Sequence, residues 1–431
     1  MNMSVKKILV ISANPMSKIF NNGKTLNAFF DSYPKEKLAQ LFFSAEIPDS
    51  DICSSYYRIS DIDMLSYRLR RKNTCGEIVA PVEGKRIQTD ADKTAKKIRK
   101  SNFTRLMREF VWNSKWLTTE LQDWLDSFRP EVVFFLAGDV VFAHKICNYI
   151  VKKYNIPMAM YITDDYILPR YNIDVFGHIR RRLIRKYMRK SINRTNALFV
   201  ISESMRKCYR KIYGKDSFVA ANMHEHVGTG TKGKENRDII EIVYAGGLHY
   251  NRHLTVLQVC QAIRNINSRK ERDAKRIILK IFSGSSLNPK EMDRLLWGDC
   301  CIWGGLLGSI ELEQQLERAD YLLHVESFKK SNICDTKLSL STKIPEYMSY
   351  RKPIIAIGPS EVASMSYLED CACCITDLHD IEEKLERVVF HEQQGKILAN
   401  LAYEKYLENH DKKKIQPKII EIINNMSEEK A

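Results

Sequence analysis

The 431-residue chain reads as an α/β protein made of two successive parallel-sheet halves, and three observations predict it. Apolar runs of strand length, such as Ile8-Leu-Val-Ile11, Val132-Val-Phe-Phe-Leu-Ala137 and Ile354-Ile-Ala-Ile357, alternate with longer segments of helical period. These runs lack polar residues at alternate positions, so each strand must be covered on both faces, as in a parallel sheet flanked by helices. The chain is also longer than one core usually fills, and its strand–helix grammar restarts after the polar, glycine-containing stretch Thr229 to Arg237. The organisation expected is a first domain over 1–228, a linker over 229–237, a second domain over 238–405 and a helical tail over 406–431.

In the first half, Ile8-Leu-Val-Ile11 is the opening strand, followed by a polar loop from Ser12 to Gly23 and a helix from near Lys24. Leu41-Phe-Phe43 supplies the second strand. From about Arg68 to Arg108 the chain is basic and poor in apolar residues, which suggests an exposed excursion from the sheet. Helical spacing returns with Trp116, Leu117, Leu121, Trp124 and Leu125. Pro130 to Leu136 is a buried strand, Phe142 to Tyr154 a helix, and Pro157 to Thr163 a further strand ending at Asp164-Asp165. A basic helix then leads to Ala197-Leu-Phe-Val-Ile201, where Ser202-Glu-Ser204 signals a helix cap.

The second half repeats the pattern. Ile239 to Tyr244 is a strand, Gly246-Gly247 a turn, Leu254 to Ile266 a helix and Ile277 to Phe282 a strand. Cys301-Ile-Trp-Gly-Gly305, the helix Glu311 to Arg318 and the strand Tyr321-Leu-Leu-His-Val325 follow. A helix starting near Lys343 runs into the strand Pro353 to Ile357, and Tyr403 to Met426 is a polar helical tail. Two such halves imply a cleft, with ligands at the C-terminal ends of the strands.

Lys and Arg number 68 against 53 Asp and Glu, a formal charge of +15 that favours nucleotide phosphates, nucleic acid or an acidic membrane surface as partners. No stretch reaches the roughly 18 uncharged apolar residues of a spanning helix. Lys6-Lys7 passes directly into a strand without the apolar region of a signal peptide, so a cytoplasmic location is expected. The eleven cysteines, including Cys300-Cys301 and Cys371-Ala-Cys373-Cys374, do not form the two paired C-x-x-C units of a zinc site. They read as small buried hydrophobes, and neither metal nor cofactor is expected.

The segment Ser339-Leu-Ser-Thr-Lys-Ile-Pro-Glu346 concentrates chemistry at one helix start. A helix N-terminus gathers unpaired N–H groups and partial positive charge, so a diphosphate there would meet Thr342 and Lys343, with Glu346 one turn further on. A solvated amphipathic helix fits the same letters. Val243-Tyr-Ala-Gly-Gly-Leu248 places Gly246 and Gly247 where a strand becomes a helix, close enough for backbone N–H groups to meet a ligand. His249 lies beside this turn, and Arg252 adds a cation able to form forked bonds to phosphate. Ser283-Gly284 and Gly304 repeat the strand-then-glycine arrangement.

In this order the motifs resemble the nucleotide-sugar-binding domain of GT-B glycosyltransferases, particularly the retaining group called glycosyltransferase family 4. The resemblance covers about residues 239–390: Gly246-Gly-Leu248 with Arg252, Ser283-Gly284, Trp303-Gly-Gly305, Ala319-Asp-Tyr-Leu-Leu-His-Val-Glu-Ser327 and Glu346-Tyr-Met-Ser-Tyr-Arg-Lys-Pro353. It implies two Rossmann-like domains facing each other across a cleft, with a C-terminal helix returning to the first. Arg252 falls at the family's diphosphate-binding Lys, while Gly247 replaces its usual Arg companion and Lys343 supplies the second cation. Glu346 matches the second Glu of the family's two-glutamate motif, which contacts the donor ribose. Leu338 stands where the first would be, which puts the grip on the donor sugar in doubt.

The resemblance implies transfer of a sugar from a nucleoside diphosphate sugar to an acceptor hydroxyl, with retention and without a metal. Gly23, in Asn21-Asn-Gly23, resembles the family's glycine loop, although Asn-Gly is equally an ordinary turn. Asp164 and Asp165 end a strand where a carboxylate can orient the acceptor or take its proton, and a strand-end Asp can equally cap a helix. The basic helix carries Arg180, Arg181, Arg182, Arg185, Lys186, Arg189 and Lys190 around Ile179, Leu183, Tyr187 and Met188. That composition suits an anionic bilayer or, equally, a core-facing helix with a charged back. The combined expectation is a peripheral enzyme on the inner face of a bacterial membrane, with a lipid-linked saccharide acceptor in surface or capsular polysaccharide assembly. Two alternatives are a GT-B sugar-nucleotide epimerase and a non-catalytic nucleic-acid-binding protein. No aromatic platform or recognised nucleic-acid motif accompanies the charge, so no nucleic-acid partner is expected.

Overall fold

The structure is a computed structural model that describes residues 5–18, 21–82, 101–113, 115–171, 173–225, 238–269, 275–296 and 299–427. The linker expected over 229–237 therefore lies outside the described residues. The chain divides into two units, Met1–Ala220 with Ile415–Ala431, and Ala221–Lys414.

The first unit runs β1 (Ile8–Ser12), α1 (Asn21–Phe30), β2 (Leu38–Phe42), β3 (Ser55–Arg58), α2 (Asp61–Arg68), β4 (Glu77–Ile78), α3 (Asn102–Val111) and α4 (Thr119–Phe128). It continues with β5 (Val132–Ala137), α5 (Val141–Tyr154), β6 (Met158–Ile162), α6 (Val175–Arg194), β7 (Ala197–Val200), α7 (Glu203–Tyr213) and β8 (Phe218–Val219). The eight strands lie in the order β4-β3-β2-β1-β5-β6-β7-β8. All neighbours are parallel except β3 and β4. Every residue of β1, β2, β5, β6 and β7 is buried, as a sheet covered on both faces requires. The strand order reverses at β1, between β2 and β5, so the ends of these three strands mark the expected ligand position in this unit.

Two expectations for this half are corrected. The loop read from Ser12 to Gly23 ends earlier, because α1 starts at Asn21 and places Gly23 in its first turn. The excursion read from Arg68 to Arg108 contains β4 and the first turns of α3. Helix α3 escaped detection because its inward face carries charge: Glu109 is buried, whereas Phe103, Met107 and Phe110 point outward. An apolar-in, polar-out reading inverts such a helix.

The second unit runs β9 (Ile239–Ala245), α8 (Arg252–Arg269), β10 (Arg276–Phe282), α9 (Pro289–Leu295), β11 (Cys301–Gly305), α10 (Ser309–Arg318) and β12 (Tyr321–Val325). It continues with α11 (Lys330–Thr336), α12 (Lys343–Ser349), β13 (Ile354–Ile357), α13 (Ala363–Leu368), β14 (Cys373–Ile375), α14 (Ile381–Phe390) and α15 (Glu392–Asn409). Its six strands are parallel in the order β11-β10-β9-β12-β13-β14, so the switch falls at β9. Ile242, Ile263, Leu279, Leu323 and Ile355 belong to one buried cluster.

The expected tail is two helices, α15 and α16 (Lys412–Asn425), rather than one. The break falls where His410 turns inward, with Nδ1 2.9 Å from the Asn222 carbonyl and Nε2 2.8 Å from the Tyr367 hydroxyl. From Ile415 the chain belongs to the first unit: Gln416 donates to the Ala28 carbonyl and to Asp31, both at 2.8 Å, and the Tyr33 hydroxyl donates to Asn424 at 2.8 Å.

Candidate functional site

In the second unit, the parallel pairing of β9 with β12 brings the segment after β9 beside the residue that ends β12. Arg252, the first residue of α8, donates from Nη2 and Nε to one carboxylate oxygen of Glu326, at 2.8 and 3.2 Å. The second oxygen, Oε1, lies 3.2 Å from Nε2 of His324. Glu326 is almost fully buried. Burial opposes its ionisation, but His324 and Arg252 outweigh that and hold the carboxyl down at about 2. The guanidinium is thus fixed on one edge, and Nη1 lies on the His249 side, 3.4 Å from its Nε2.

The approach to Arg252 is bent in an uncommon way. Tyr250 and Asn251 both have positive φ, 57° and 61°, in the left-handed region that non-glycine residues seldom occupy. Asn332 of α11 holds them there, donating to the Tyr250 carbonyl, to Asn251 and, at 3.0 Å, to the Ser327 hydroxyl. Strain of this kind persists only where its surroundings impose it. Half-burial and Arg252 lower the pKa of His249, favouring the neutral ring.

Lys343 and Glu346 meet each other. The ammonium lies 2.7 Å from the carboxylate within the first turn of α12, so any diphosphate must compete for a cation already paired. Thr342 precedes the helix with helical backbone angles and makes no side-chain cap. Next to them, the buried Tyr347 hydroxyl accepts from the Ala245 N–H at 2.8 Å and donates to the Ala245 carbonyl at 3.1 Å. That contact ties α12 to the end of the switch strand.

The glycine turns divide between site and scaffold. At Gly247 a Cβ would strike the His249 ring, so glycine is what lets that ring fold back over the turn beside Gly246. The turns at β9 and β10 are joined, since the Leu248 N–H donates to the Ser285 hydroxyl at 2.8 Å and the Ser285 N–H to the Ser283 hydroxyl at 3.2 Å. Gly284 lies in the same connection, facing Leu306. Gly304 is different: it sits on the edge strand β11, where the Phe282 ring occupies the place of a Cβ, so packing explains it.

In the first unit, Asp165 is corrected from candidate base to loop cap. Its buried carboxylate accepts from the N–H groups of Ile167 at 3.0 Å and Leu168 at 3.1 Å. Asp164 is exposed, with the Tyr166 hydroxyl 3.4 Å from its carboxylate. Gly23 packs against the preceding loop, where a Cβ would run into the Pro15 carbonyl oxygen. A cavity of about 290 Å³ opens at the ends of β1, β2 and β5, lined by Asn14, Asn22, Arg105, Asp139, Tyr166 and Arg180 among others. Arg180 is thereby corrected from surface to interior: it is buried and donates to the Asp139 carbonyl at 2.6 Å and to its carboxylate. Arg181 donates to the Tyr166 carbonyl at 3.4 Å and Arg185 to the Ile167 carbonyl at 2.7 Å. Arg182, Lys186, Arg189 and Lys190 face outward.

Glu326, Asn332 and Tyr347 were not singled out from the sequence, and His324, which reads there as a packed or surface residue, is buried against Glu326. A carboxylate directly after a buried strand, as Glu326 is after β12, is the one signal that marks such a residue in advance.

No family model and no curated protein matches the chain. Solved structures do resemble it in fold. HepE from Anabaena, in complex with UDP and glucose, has a TM-score of 0.60 at 10% identity, covering 97% of this chain and 100% of its own. Sucrose-phosphate synthase from Thermosynechococcus elongatus gives 0.60 at 9% identity, over 97% of this chain and 98% of its own. A glycosyltransferase from Rickettsia africae gives 0.58 at 10% identity, over 98% and 100%. The chain therefore has the GT-B fold, with two parallel-sheet Rossmann-like domains.

Proposed function

We propose that the protein is a glycosyltransferase that moves a sugar from a nucleoside diphosphate sugar to a hydroxyl of an acceptor. One observation carries the reading: a guanidinium anchored by a buried carboxylate stands beside the glycine turn at the switch strand of a GT-B domain. Neighbours of the same fold contain UDP with glucose and UDP-glucose. In the reaction, the bond from the anomeric carbon to the diphosphate breaks, the acceptor oxygen takes its place, and the acceptor proton leaves on a diphosphate oxygen. The barrier depends on stabilising the departing negative charge, which fixed cations do without reorganising. Arg252 and Lys343 are assigned to that charge in place of a divalent ion, Glu346 to the ribose and Asp164 to the acceptor hydroxyl.

The finer reading follows the family 4 resemblance: retention at the anomeric carbon, a lipid-linked saccharide acceptor, and a role in surface or capsular polysaccharide assembly at the inner membrane face. The absence of a described helix long and apolar enough to cross a membrane is compatible with a peripheral enzyme.

A thermal-shift screen of nucleoside diphosphates and their sugars tests the donor assignment. Stabilisation by one diphosphate family, weakened in Lys343→Ala and Glu346→Ala, is the expected result. No response to any nucleotide would remove the reading's support. Isomerisation of the donor without any acceptor would favour the epimerase instead.

A further inference from the structure

Helix α3 has two faces with opposite tasks. Inward, Arg105, Arg108 and Glu109 line the cavity at the ends of β1, β2 and β5, and Glu109 accepts from the N–H groups of Val141 and Phe142 at 2.8 and 2.9 Å. Outward, Phe103, Met107 and Phe110 recur at helical spacing and are 48%, 46% and 61% exposed. Helices α2 and α6 both pack against α3 and carry exposed apolar side chains of their own. Ile62, Leu65 and Leu69 come from α2 and its end, and Val175, Phe176 and Ile179 from the start of α6, all exposed. The Phe103 and Phe176 rings meet edge-on, 5.0 Å between centres, so the α3 and α6 portions are continuous.

Cations flank the patch on both sides. Along α6, Val175, Ile179, Arg182, Lys186 and Lys190 follow one another at helical spacing and are all exposed, so one face passes from apolar to basic. At the other side, the exposed Arg70 and Arg71 follow α2. Soluble monomers rarely leave so many large apolar side chains contiguous and uncovered.

We propose that this surface docks the first unit onto an anionic lipid bilayer, with the apolar side chains entering the interface and the flanking cations meeting headgroup phosphates. The charge pattern selects this occupant, since a purely apolar protein partner would leave the flanking cations unmatched. The surface differs from the one read in the sequence: it centres on α3, and Arg180 is no part of it. Docking stands on the surface alone. Its use rests on the transferase reading: α3 separates the patch from the cavity by one helix, so an acceptor tethered in the bilayer would bring its head group to that cavity.

Vesicle flotation of the full chain tests the proposal. Binding is expected to vesicles of phosphatidylglycerol and phosphatidylcholine in equal parts, and to be much weaker with phosphatidylcholine alone. Arg182→Glu/Lys186→Glu/Lys190→Glu should lower partitioning by roughly a hundredfold, because each cation near an anionic surface contributes about a factor of five. Phe103→Ser/Met107→Ser/Phe110→Ser should abolish stable binding while leaving the circular dichroism unchanged and lowering the melting temperature by only a few degrees, through the lost Phe103–Phe176 contact. Met107→Ser/Phe110→Ser, which keeps that contact, should still weaken binding. Wild-type protein that ignores phosphatidylglycerol, or triple variants that float as wild type does, would overturn the proposal. So would wild-type protein that is dimeric by light scattering and becomes monomeric in the Phe103 variant, since the patch would then be an interface between copies. Vesicle binding without any nucleotide-induced thermal shift would defeat the transferase reading and leave docking intact, and the reverse outcome would do the opposite.

Discussion

The two units solve one design problem with different materials. Each is a parallel sheet with charged groups gathered at its switch strand, β1 in one and β9 in the other. In the second unit the charges are local to the strand ends: Arg252, His324 and Glu326 form a chain of contacts on adjacent β9 and β12 segments. In the first, Arg105, Arg108 and Glu109 come from α3 and Arg180 from α6, both far along the chain from β1. Strand-end chemistry leaves a compact signature in the sequence, whereas helix-borne chemistry does not. The carboxylates beside the cavity of the first unit, buried Glu109 and part-exposed Asp139, differ too. Burial, only partly offset by the Val141 and Phe142 N–H groups, raises the pKa of Glu109. For Asp139, Arg180 overcomes burial and lowers it.

Acid titration should give the largest effect, in two steps, the first shared by the units and the second confined to the second unit. Burial pushes His144 in the first unit and His410 in the second down to about 4. Both rings stay neutral in the fold while the unfolded chain takes up protons below its ordinary value of about 6.5, so stability falls from there to about pH 4, by up to about 3 kcal/mol per ring. Glu326, depressed to about 2, adds stability that is complete above about 4.5 and lost between there and about 2. Chemical denaturation across this range should show both losses, and Glu326→Gln should remove the lower one.

Arg252→Ala comes next. It leaves a buried carboxylate without its guanidinium, so unfolding free energy should drop by about 3 kcal/mol, and donor-induced stabilisation should vanish. A variant that melts as wild type does would show that the pair is not holding the site. In the first unit, Asp165→Ala strands two backbone N–H groups and should cost about 2 kcal/mol, while Asp164→Asn should leave stability unchanged and lower turnover. Equal melting of the two variants would erase the distinction between cap and candidate acceptor residue. The smallest effect falls on the partly buried Lys343–Glu346 pair. Lys343→Ala should weaken diphosphate binding about tenfold by titration calorimetry, with a stability change of less than about 1 kcal/mol.

The central strands of both sheets and the parallel class were legible because buried parallel strands write continuous apolar runs, whereas β3, β4, β8 and β14, toward the sheet edges, were not read. The positions of Arg252, Lys343 and Glu346 in the fold were readable too, since glycine turns and strand ends fix them within a few residues of an obvious element. Helix α3 was not readable, since its buried face is charged and its exposed face apolar. Nor was the role of Glu326, because only the pairing of β12 with β9 sets it against Arg252.

By itself, then, the sequence determined the alternation of elements, the two sheets and which short segments carry cations near strand ends, all of which depend on local pattern. Tertiary structure alone decided which charges pair, which are buried and which face outward. It put Arg180 on Asp139 and Arg252 on Glu326, because pairings of this kind arise only when segments distant in the chain meet.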